Sequence, residues 1–422
     1  MNLTAIAEQY GTPAYVYDLA AIRAAHTDLS AMLPGPAKLY YSLKANPHPL
    51  VVGQLHRLGC HAEVSSAGEI DAALAAGVDA HHILLTAPGK SAATVSYALR
   101  QGVRRFSLDS PVDLRRVAWL AEQSGTDVRC LLRVNADQPV AGLGLTMTGA
   151  PSAFGADASW IEADPAQFRG GGRVRIEGLH LYMGTNIADE DALIAQFDTA
   201  AATAQRLGPV LGELIEVDLG GGFGAPYAQT GSRPLWPSLR PRIEQVLDTR
   251  LPGWRDARPA VAFESGRYLA GSSGSLLCGV VDVKTSKGKT FVVLDTGINH
   301  LGGMAGLRRL PPLRPALAVT GPDDGRPTTR TTVVGPLCTP LDTFVRDADF
   351  PEVHPGELLA VPNVGAYGLT ASLLGFLGHP APVEVVCDGD TVLDVSHLVL
   401  AREPGPYDPA VTAADPAVGS LV

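Results

Sequence analysis

Between about residue 36 and residue 265, short β-rich runs alternate with alanine-rich segments of helical period, and this alternation narrows the possible folds more than any other feature of the chain. AKLYYSL is followed by PLVVGQLHRLG, HAEVS by AGEIDAALAAG, and HILLT by SAATVSYALRQG; further strands are predicted at RRFSLD, VRCLLRVN, RIEGLHLYM, LIEVDLG and AVAFES. Strand and helix in regular turn build parallel units, because parallel neighbours need a crossover that a helix supplies. About eight such units fit this stretch, the count and size of a (β/α)8 barrel. In that architecture chemistry gathers at the C-terminal ends of the strands, where the candidate residues below fall.

After about residue 270 the pattern changes to strands separated by turns. GSLLCGVVDVKTS and KTFVVLDTG read as a hairpin closed at Lys287-Gly288, and GELLAVPNV and VEVVCDGDTVLDVSHLVLA as further strands. Loops are predicted at Gly149–Arg173 and Gly321–Arg330, and no internal repeat is visible. The chain therefore reads as α/β: a TIM-like (β/α)8 barrel over 31–270 and a C-terminal β-rich domain, barrel or sandwich, over 271–405. A segment over 1–30 is expected to pack with the β domain, and a tail over 406–422 to be mobile.

With 46% hydrophobic residues in 422, the chain can fill two cores. A net charge of −10 argues against nucleic acid, which is held through basic faces, and favours small or carrier-borne substrates. Five cysteines without short paired spacing indicate neither a zinc site nor a disulfide framework, so a reducing cytoplasm is expected. The opening residues lack a signal-peptide pattern, and no apolar run is long enough to span a bilayer.

Five segments carry chemistry. Lys44 ends an apolar strand in YYSLKANP, which suits a Schiff-base lysine, although a solvated loop lysine has the same local sequence. Gly220, Gly221 and Gly222 directly follow a strand, where bare backbone N–H groups can meet a phosphate; tight packing also explains them, and their spacing matches neither a dinucleotide fingerprint nor a Walker loop. FESGRY sets Glu264 and Arg267 three apart, as a site or as a local ion pair. Cys338 lies in a turn bracketed by Pro336 and Pro340, with Asp342 four residues on. Tyr367 stands between small neighbours in GAYG. His81-His82 is set aside as a metal pair, since adjacent strand residues face opposite ways, and no metal is expected.

In this order and spacing the five segments resemble the fold-type III pyridoxal-phosphate decarboxylases, which include diaminopimelate, ornithine and arginine-type enzymes. The resemblance runs from TPAYVYD at Thr12 to about Leu400. It implies pyridoxal 5′-phosphate as cofactor and a homodimer with active sites shared between subunits. By the resemblance, Lys44 forms the Schiff base and Glu63 sits near it. Gly220, Gly221, Gly222, Gly266, Arg267 and Tyr367 serve the phosphate, Glu264 faces the pyridine nitrogen, and Cys338 reaches the partner subunit's cofactor. A carboxylate at the ring nitrogen keeps it protonated and so favours loss of CO2; racemases of this fold place a cation there. Cys338 would return a proton to Cα.

Three departures from the family pattern bear on substrate and cofactor. Thr339 follows the cysteine where relatives carry an acid for a distal amine. His300 and a glycine-rich run replace the segment in which an arginine grips a distal carboxylate, with Arg308 coming only later. Tyr182 holds the place of a ring-stacking histidine; His180 is the competitor, set aside on the reading that strand alternation turns it to the other face. Thr339, Asp342, His300 and Arg308 are thus the substrate candidates. The pattern resembles a subgroup acting on conjugated amino acids, carrier-protein-bound glutamate or citryl-diaminopropionate, in secondary metabolism. The alternatives are a diaminopimelate decarboxylase, an amino-acid racemase and a non-catalytic cofactor-binding regulator.

Overall fold

The computed structural model describes residues 2–137, 145–146, 148–302, 313–321 and 325–402. Arg308 and the 406–422 tail lie outside them. Strand β1 (Ala14–Asp18) belongs to the second sheet. The barrel is built from β2 (Ala37–Ser42), β3 (His61–Val64), β4 (Ile83–Leu85), β5 (Arg105–Leu108), β6 (Val128–Asn135), β7 (Val174–His180), β8 (Glu216–Asp218) and β9 (Ala260–Ser265). All eight run parallel, and pairing of β5 with β6 at one end and β2 with β9 at the other closes the ring. Tyr40, Leu84, Leu131 and Ala262, from β2, β4, β6 and β9, form a separate buried cluster of barrel-strand residues.

Helix starts follow from local chemistry. Ser66 Oγ accepts the Glu69 N–H while Glu69 Oε2 reaches back to the Ser65 N–H, and Ser110 caps a helix whose first residue is Pro111. The segment read as a loop at Gly149–Arg173 contains a short helix, Ala158–Ala163, because Ala158 and Ile161, three apart, bury on one side.

The second sheet comprises β1, β10 (Gly274–Ser286), β11 (Lys289–Leu294), β12 (Thr328–Val334), β13 (Thr343–Pro351), β14 (Leu358–Val361), β15 (Val383–Asp388), β16 (Thr391–His397) and a two-residue strand, Ala318–Val319, on the edge of β14. Strands β10 and β11 form the hairpin at Lys287-Gly288, whose φ angles of 49° and 77° are the left-handed pair a tight hairpin turn needs. Strand β1 lies between β10, antiparallel, and β15, parallel. The two halves meet beside Lys44: the Tyr367 N–H donates to Ala45 O at 2.8 Å, and Asn46 Nδ2 donates to Gly365 O at 3.0 Å. Among the described residues, no helix is long and apolar enough to cross a membrane.

Candidate active site

Lys44 lies two residues past β2 in a short 3-10 turn, Leu43–Ala45, so its side chain leaves the strand end into a cleft. Ser42, Tyr182, Thr185, Gly222, Phe223, Glu264, Ser265, Gly266, Arg267 and Tyr367 complete the lining, around about 300 Å³ of empty space. Lys44 Nζ stands 3.1 Å from Glu63 Oε2 and 5.8 Å from the centre of the Tyr182 ring. Burial disfavours its charge, but the Glu63 and Glu264 carboxylates outweigh burial and hold the ammonium well above the ordinary lysine range. Burial of Glu63 is likewise outweighed, by Lys44 and by hydrogen bonds from Ser42 and Thr86, so its carboxyl stays low.

Beneath the cleft, Glu264, Asp218 and His180 bring one ligand atom each within 4.8 Å of one another. His180 Nδ1 is 2.8 Å from Ser107 Oγ, and its Nε2 is 3.3 Å from Glu264 Oε1 without hydrogen-bond geometry. Burial would neutralise this imidazole, yet the Glu264 charge raises its pKa. Burial, with the Glu264 charge added, pushes the Asp218 carboxyl up to about 7 against the pull of His180 and the Gly220 N–H.

Strand alternation does not turn His180 away: residues two apart share a face, and His180 meets Asp218 and Glu264 on the cleft side. Depth separates the two residues instead. His180 ends β7 one layer down, whereas Tyr182 comes after the strand and lines the cleft.

The glycines divide similarly. Only Gly222 of the three lines the cleft. A Cβ on Gly221 would sit 1.8 Å from Glu264 O, and one on Gly220 2.6 Å from Leu181 O, so backbone packing alone forbids a side chain at both. A Cβ on Gly266 would meet Ala45 Cβ at 2.9 Å. The Arg267 guanidinium lies over the Tyr367 ring at 4.7 Å, and Tyr367 holds a left-handed φ of 57°. Such a backbone costs energy in a tyrosine and is kept where the surroundings fix it, here through the bonds at its N–H and its carbonyl, the latter taken by Tyr227 Oη.

The remaining candidates lie apart from this cleft. Cys338 is exposed and absent from its lining. Asp342 is buried, its Oδ1 accepting the Ile298 N–H at 2.8 Å and its Oδ2 the Leu337 N–H at 2.9 Å. Thr339 Oγ1 accepts the Leu341 N–H within the same turn. His300 is buried, 3.0 Å from Pro380 O and 3.2 Å from Thr296 Oγ1, and burial pushes its pKa down to about 4, leaving it neutral. Sequence reasoning missed Ser42, Thr185, Ser265 and the Asp218–His180 pair. Asp218 was within reach, since it shares strand parity with Glu216 and lies two residues before the glycine run.

The cleft fits pyridoxal phosphate. Glu264 Oε1 is a buried acceptor with no hydrogen-bond donor among the described residues, as a protonated ring nitrogen requires. An amine, an aromatic face, a guanidinium and bare backbone surround it. The comparisons agree. The chain belongs to the pyridoxal-dependent decarboxylases: the model of their pyridoxal-binding domain matches residues 19–271. It is 30% identical over 394 residues to an L-glutamyl-[BtrI acyl-carrier protein] decarboxylase of Niallia circulans, covering 91% of each chain. It is 32% identical over 413 residues to a diaminopimelate decarboxylase of Pseudomonas fluorescens, covering 95% of this chain and 94% of that one. The crystal structure of Helicobacter pylori diaminopimelate decarboxylase complexed with L-lysine superposes with a TM-score of 0.79 at 26% identity, over 93% of this chain and 95% of that one. The protein is thus a pyridoxal-phosphate-dependent carboxy-lyase acting on an amino acid or an amino-acid conjugate.

Proposed function

We propose that the substrate is a conjugated amino acid, glutamyl carrier protein or a citryl-type amide, in preference to a free diamino acid. The observation that carries this is the Cys338 turn: a distal ammonium needs a carboxylate, and the acid within Gly335–Asp342 is buried with both oxygens on backbone amides. Thr339 stands where relatives carry an acid for a distal amine. The carrier-bound glutamate decarboxylase among the relatives supports the same reading.

Bound pyridoxal phosphate supplies the electron sink for the pair left at Cα when CO2 departs. Lys44 would hold the cofactor, with Glu63 setting the charge of its amine. Glu264 would keep a proton on the ring nitrogen, and Tyr182 offers an aromatic face to the ring. Gly222, Gly266, Arg267 and Tyr367 would hold the phosphate end. Cys338, exposed on its own chain, serves the cleft of a second copy and returns a proton to Cα. A mixed dimer of Lys44→Ala and Cys338→Ala chains should regain one working site; no regain sinks the shared-site reading.

CO2 release over a panel of glutamyl carrier protein, citryl-diaminopropionate, glutamate, lysine, ornithine and meso-diaminopimelate tests the substrate. Robust turnover of meso-diaminopimelate alone overturns the proposal in favour of the second reading, a diaminopimelate decarboxylase, which the P. fluorescens relative supports. Cα deuterium exchange without CO2 release would indicate a racemase, and a purified chain that binds the cofactor yet neither releases CO2 nor exchanges at Cα would point to a regulator.

A further inference from the structure

A second basin, wider than the Lys44 cleft, lies at the other end of the barrel, where the strands begin, and opens to solvent over about 1920 Å³ of empty space. Five arginines line it against two carboxylates, in a chain whose net charge is −10.

Three arginines occupy one row of the barrel wall: Arg105 on β5 pairs in register with Arg129 on β6, and Arg129 with Arg175 on β7. Register partners on adjacent strands share a face and stand about 5 Å apart, so three like charges lie side by side, an arrangement that destabilises a sheet. Glu216 neutralises Arg105 and also holds Lys38. Arg129 and Arg175 are exposed to the basin, and neither makes an ion pair among the described residues. A tight Gly170–Gly172 turn, closed by the Val174 N–H on Gly171 O, places Arg169 and Arg173 on the rim. The positive field reaches inward as well: His61 is driven down to about 4 by burial first, then by His82, Lys38 and Arg105.

We propose that the Arg129–Arg175 row is a binding site for a small, multiply charged oxyanion of the phosphate or polycarboxylate class, at the barrel mouth remote from the reaction. Two guanidinium forks at strand spacing can clamp such an anion bidentately, and the anion cancels the repulsion in the row.

The test uses cofactor-saturated enzyme, so that the phosphate cup of the active site is filled, and compares inorganic phosphate, citrate and chloride at equal ionic strength. Near saturation the wild type should gain about 3 °C in thermal midpoint with phosphate, citrate or both over chloride, with saturable heat in titration calorimetry. Whichever anion binds more tightly identifies the source. Arg129→Gln/Arg175→Gln should lose that gain, keep its decarboxylase turnover, and in chloride melt no lower than wild type because the repulsion is gone. Equal midpoints for the wild type in all three salts overturn the site, as does an undiminished anion effect in the double variant. Because the readout is anion binding, its failure leaves the substrate proposal untouched.

Discussion

Lys44 Nζ lies 3.1 Å from Glu63 Oε2, so the amine proposed to anchor the cofactor is held as an ammonium by a buried neighbour. Glu63→Gln removes the nearest negative charge, the lysine pKa falls, and neutral amine appears at lower pH. The pH profile of cofactor capture, followed by visible absorbance, should move down by about one unit. An unmoved profile would mean that Glu63 does not set the amine's charge.

Glu264→Gln keeps the shape of the site but removes the charge that we propose faces the ring nitrogen. Turnover should drop by about 10²-fold while the cofactor stays bound, as steady-state kinetics and absorbance on the same sample will show.

Asp218 offers a pH test. Its carboxyl titrates near 7 in the fold, and at about 3.9 in an unfolded chain. Between those values the folded protein keeps a proton that the unfolded chain has lost, so this group's stabilising contribution is present at low pH and fades as pH rises through the window. Asp218→Asn does not titrate and retains an oxygen for the Gly220 N–H. Its stability relative to wild type should therefore improve steadily from about pH 4 to pH 7 in denaturant titrations.

Asp342→Ala strands the Ile298 and Leu337 N–H groups and should cost about 3 kcal/mol in unfolding free energy. Activity should fall further than stability explains, because the Cys338 turn loses its internal support. Asp342→Asn, which keeps one acceptor, should lie between the two by both measurements.

Much of this was legible from residue types because the barrel's rules are local. Alternation of period marked the eight strands, and Lys44, Glu264 and the glycine run each fall at a strand end, where a parallel barrel exposes side chains. What stayed hidden depends on distance across the ring. Ser107, His180, Asp218 and Glu264 come from four different strands, and nothing in their separate segments says that they share one layer. The same limit affected the Cys338 turn. Asp342 had the residue type of a substrate carboxylate, and only the fold reveals that backbone amides occupy it.

The bond from the Tyr367 N–H to Ala45 O makes the β domain a structural neighbour of Lys44, the proposed anchor. Chimeras that exchange C-terminal domains between relatives will succeed or fail at this seam: a foreign domain must bring a tyrosine able to hold the same left-handed backbone, or the lysine turn loses its brace. Drift in the two halves is coupled there, although they are far apart in the chain.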